Sequence, residues 1–165
     1  MIGNEEHLGY CGKMSDVSSR NILENTFEKV LDLPLQASQW LLDLWDVIQV
    51  FDDFADEEKV SRESLDKAIW AALVGMPSNP FYVANSYYLL PLIGNSILKW
   101  KASDKVERDG EANVTSFVWR ASYYDVVLMV VQLVHGPDVA LEHSDLVLKL
   151  YGEDFNEYLK EMCDA

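Results

Sequence analysis

A chain of 165 residues with 49% hydrophobic and 12% aromatic content can bury one substantial core. Its 28 acidic residues against 13 basic ones give a net charge of −15, which argues against a nucleic acid or an anionic membrane as direct partner and leaves cations, basic proteins and metal-escorted phosphorylated ligands. The longest apolar stretch, 114–134, is interrupted by Arg120, Asp125 and Gln132, no basic segment followed by an apolar one opens the chain, and Cys11 and Cys163 lack metal-type spacing, so a soluble protein of the reducing cytoplasm is expected.

Residues 1–14 carry three glycines and little periodicity, which reads as a flexible arm ahead of a single α-helical domain over 15–165. Val17, Ile22, Leu23, Phe27, Val30 and Leu31 recur at helical spacing and predict a first helix over 15–33, which Pro34 stops. A second helix runs from there to about Asp56. Ser61 followed by Glu63 and Asp66 predicts the start of a third, closed by Gly75 and Pro77. Ser78-Asn79-Pro80 opens a fourth over about 80–101, with a kink expected near Pro91 and Gly94, and a polar stretch over 102–112, with Asp109-Gly110 as turn residues, separates it from the next. A fifth helix over about 113–135 is apolar nearly all round and is therefore expected at the centre, up to Gly136-Pro137. Helices over about 138–150 and 154–163, divided by Gly152, complete an all-α bundle of six or seven helices.

The second helix carries the strongest functional signal. At about 100° per residue its apolar arc is expected to comprise Trp40, Leu41, Leu44, Trp45, Ile48, Phe51 and Ala55. Asp52 projects within that arc and Asp56 at its border. A carboxylate facing a core is strongly destabilising unless it is paired, protonated or bound to a cation. On the fifth helix Asp125 interrupts a similar face, so Asp125 is expected either to look across a cavity toward Asp52 and Asp56, or to pair with Arg120, Lys99 or a buried amide. The tryptophans at 40, 45 and 70 and the pairs Tyr87-Tyr88 and Tyr123-Tyr124 read first as core and second as a pocket lining for a flat ligand.

Asp52-Asp53-Phe54-Ala55-Asp56 has the spacing of the DDxxD motif and resembles that of class I terpenoid (isoprenoid) synthases. The resemblance implies an α-helical bundle around a cavity, with Asp52 and Asp56 as Mg²⁺ ligands, Asp53 supporting them, and the ion gripping a substrate diphosphate. The family's second metal motif and its basic diphosphate-holding pair have no counterpart here, and the chain is much shorter than a catalytic member. The leading expectation is thus a non-catalytic relative that acts by protein interaction, as inhibitor or adaptor of a basic partner, with an exposed apolar face suited to a homodimer left open. The alternative is a Mg²⁺-dependent enzyme or binder of a diphosphate-bearing isoprenoid or nucleotide, with Asp52, Asp53, Asp56 and Asp125 at the metal. Ferritin-like iron sites are excluded by the absence of Glu-x-x-His, and nucleophilic catalysis has no supporting motif.

Overall fold

The computed structural model describes residues 16–164, so the expected arm over 1–14, with Cys11, lies outside the described residues. Among those residues every regular element is helical. In chain order they are α1 (Asp16–Asn25, continued by a π turn, Thr26–Val30), α2 (Leu35–Ala55), α3 (Arg62–Trp70, continued by a π turn, Ala71–Gly75, and a last turn, Met76–Ser78), α4 (Pro80–Arg108), α5 (Val114–Arg120), α6 (Tyr123–His135), α7 (Pro137–Lys149) and α8 (Phe155–Asp164).

The core forms where α1, α2, α4, α6 and α7 meet. Leu23 and Phe27 of α1, Ala37, Trp40 and Leu41 of α2, Leu89 of α4, and Val126, Val127, Val130 and Val131 of α6 are all but sealed from solvent. Trp40 stacks on Tyr82, and Tyr123 donates its hydroxyl to the Leu41 carbonyl at 2.9 Å. The core reading therefore holds for Trp40 and Tyr123, whereas Trp70, Tyr87 and Tyr88 are exposed.

Three boundaries depart from the sequence expectation, each for a local reason. The third helix passes through Gly75 and Pro77 to Ser78. The helix widens to a π turn just before Pro77, which relieves the clash of a proline ring with the carbonyl four residues back. The Ser78 hydroxyl then serves the carbonyls of Val74 and Gly75. The fourth helix continues to Arg108 because its polar end is braced by i,i+4 ion pairs, Arg108–Asp104 and Lys105–Asp109, which a search for apolar periodicity does not register.

The expected fifth helix is two. It breaks at Ala121-Ser122, and α5 and α6 meet at 46°. At the break Ser122 and Ser96 exchange hydrogen bonds, each hydroxyl donating to the other's carbonyl at 3.3 Å, which ties the break to α4. Among the described residues eight helical elements result rather than six or seven. Only the α6 half is central; Val114, Val118 and Trp119 of α5 face solvent.

Candidate functional site

The last turns of α2 outrun the core. Its fully buried side chains end at Val47, and Phe51 and Phe54 are exposed, Phe54 at 74%. The apolar arc thus does not extend to Phe51 and Ala55, and the acidic triplet sits beyond the core rather than inside it. A helix of 21 residues is about 31 Å long, and the core covers it only as far as Val47.

The residues of the triplet point to different surroundings. Asp52 is met by the Arg120 guanidinium, whose Nη2 lies 3.3 and 3.4 Å from its two oxygens, and it accepts a hydrogen bond from the Trp100 indole at 3.1 Å. Asp53 lines a groove between α1, α2 and α3, and Asp56, the residue that caps α2, is exposed but close enough to act electrostatically on Arg120. Asp125 takes the second of its two expected roles. It is half exposed, at 50%, and pairs with Lys99 at 2.6 Å, sharing no ion-pair partner with Asp52.

The organising group is Arg120. Its Nη1 donates to Glu107 at 2.7 Å, and Glu107 is the most deeply placed acid in these pairs, with 6% of its side chain exposed. The other Glu107 oxygen accepts from the Tyr158 hydroxyl at 2.7 Å, which lies 2.6 Å from Ser116 Oγ, while Ser103 donates to the Ser116 carbonyl. One polar network therefore ties α2, α4, α5 and α8 together. Burial alone would make the guanidinium easier to deprotonate, but Asp52, Glu107, Asp56 and Glu153 more than offset this and hold it charged. Burial likewise pushes the Tyr158 phenol up to about 12.

Glu107, Trp100 and Tyr158 escaped the sequence reading. Glu107 falls in the polar stretch over 102–112, beyond the expected end of its helix, and so belongs to no predicted helix face. The available signal was Arg120 itself, a cation inside the longest apolar run, which needs a buried acid nearby.

The groove on the other side of α2 has a volume of about 1280 Å³. Trp45 and Trp70 give it apolar walls, and Arg20 crosses it to Asp46 at 3.0 Å. Burial raises the pKa of Asp43 at its edge, a shift that Asp46 reinforces and that Gln39 and Arg20 oppose. Lys59 and Arg62 add positive charge, so the lining is mixed in sign. Among the described residues no group of three or more His, Cys, Asp or Glu has an arrangement that could hold a metal ion. Neither a family model, a curated protein nor a solved structure matches the chain, so its function is argued from this geometry.

Proposed function

We propose that the chain is a non-catalytic acidic protein that acts by associating with a basic protein partner. The observation that carries this reading is the engagement of Asp52. A carboxylate with both oxygens against Arg120 and one on an indole N–H is already neutralised and geometrically committed, as a structural brace is, and Mg²⁺ would have to displace the guanidinium to reach it. The net charge of −15 favours a basic surface as the thing bound, through attraction that steers encounter and weakens with salt.

Two measurements test the proposal. Millimolar Mg²⁺ is expected to shift the melting temperature of the wild type and of Asp52→Asn equally. A shift confined to the wild type would return the site to the diphosphate-binding alternative, since an ion held by the native state stabilises it by mass action. Affinity for a basic partner is expected to fall steeply as salt rises from about 0.01 to 0.1 M, over which the screening length shortens from about 30 to 10 Å. An affinity indifferent to salt overturns the reading.

A further inference from the structure

All 41 charged residues of the chain lie outside one stretch: from Ala68 to Leu98 there is neither an acid nor a base. Only part of that stretch is buried. On α4, Val83, Tyr87, Leu90 and Ile97 are exposed, Tyr87 at 83% and Leu90 at 60%, in a chain whose other surfaces carry a net charge of −15.

The exposed positions have an order. Val83, Tyr87, Leu90, Gly94, Ile97 and Lys101 are spaced 4, 3, 4, 3, 4, the alternation with which a helix presents a seam to another helix. The seam spans about 27 Å at 1.5 Å per residue. It is also symmetric. Turned about a two-fold axis through residue 92, Leu90 falls opposite Gly94, Tyr87 opposite Ile97, and Val83 opposite Lys101, whose aliphatic stem suits an apolar neighbour. A large side chain thus meets the one position that has none.

Gly94 supports the same arrangement. Glycine inside a helix is destabilising, and a Cβ added at Gly94 would meet nothing within 4 Å, so nothing in the chain's own packing requires a glycine there. A second backbone or side chain approaching from outside would. We infer that α4 is a self-association surface, at which two copies of this chain pair antiparallel with Leu90 of each seated over Gly94 of the other. Charge selects a second copy over a basic partner for this face. A basic surface finds its acids elsewhere on the chain, whereas two molecules of −15 approach most closely along a seam that carries no acid.

Sedimentation equilibrium of the full chain over the micromolar range at physiological salt tests the inference. The wild type is expected at twice the chain mass of 18.8 kDa. Leu90→Glu is expected at the mass of one chain. Gly94→Leu is expected to weaken association by about tenfold or more while its melting temperature, read at monomeric concentration, is unchanged or raised, because a better helix former stands at an open position. Circular dichroism that matches the wild type shows that both variants fold.

Added salt is expected to strengthen this association, the opposite of its effect on a basic partner. Leu90→Glu should leave that salt-weakened binding intact, so the two proposals fail separately. A wild type of single-chain mass throughout, or variants that dimerise as the wild type does, overturns the inference. So does a monomer that floats with phosphatidylcholine vesicles, which would assign the face to a lipid surface.

Discussion

Arg120 shows what a single residue does in this bundle. Its removal leaves Glu107 buried, charged and without its cation, and Asp52 with the indole alone. Arg120→Met is expected to cost about 3–5 kcal/mol in urea unfolding, the range for breaking a buried ion pair by deleting one partner. Arg120→Lys is expected to recover only part of that, because one ammonium cannot address both carboxylates as the guanidinium fork does. Tyr158 gives the same network a pH signature. Its phenol is held neutral up to about 12, against about 10 unfolded, so its contribution to stability is complete below pH 10 and is lost as pH rises from about 10 to 12. Thermal unfolding followed across that window should fall more steeply in the wild type than in Tyr158→Phe. Asp52 was legible as an acid that needed a partner. That Arg120 is the partner is not legible, because Arg120 and Asp125 both interrupt one apolar run and the break between them at Ser122 turns them toward different neighbours.

At the scale of the helices, the starts were more legible than the ends. Pro34, Ser61 and Asn79 mark beginnings through chemistry that acts within three residues, and the structure places Ser61 Oγ 3.0 Å from the Ser64 N–H as the expected cap. Ends such as Arg108 depend on ion pairs and tertiary support, which apolar periodicity does not encode. Asn79 does two things at once: its Oδ1 caps α4 through the N–H groups of Phe81 and Tyr82, and its Nδ2 donates to the Gln36 carbonyl in the first turn of α2. Asn79→Ala is therefore expected to cost about 2 kcal/mol, the upper end for a cap, and Asn79→Asp less than that because the anion keeps the cap and loses only the tether. Denaturant midpoints of the two variants give the comparison.

Across the whole molecule, charge opposes the compact state, so the free protein is expected to melt higher in moderate salt, a trend that differential scanning calorimetry would show. The all-helical architecture was legible because apolar positions recur at helical spacing and no stretch alternates along its length. The position of the uncharged surface was not, since an apolar run looks the same in sequence whether its own chain covers it or not. The junction between α6 and α7 is a single residue, Gly136, at a φ of +89° that a side chain would resist, and the two helices form the most extensive helix pairing among the described residues. A connection of one residue closes with almost no loss of chain entropy, so this hairpin is the tertiary contact reached soonest when the chain collapses. Substitutions at Val130 or Ala140 are accordingly expected to slow refolding, whereas those at Leu23 or Leu89 should mainly hasten unfolding, a contrast that stopped-flow kinetics resolves as high and low φ-values.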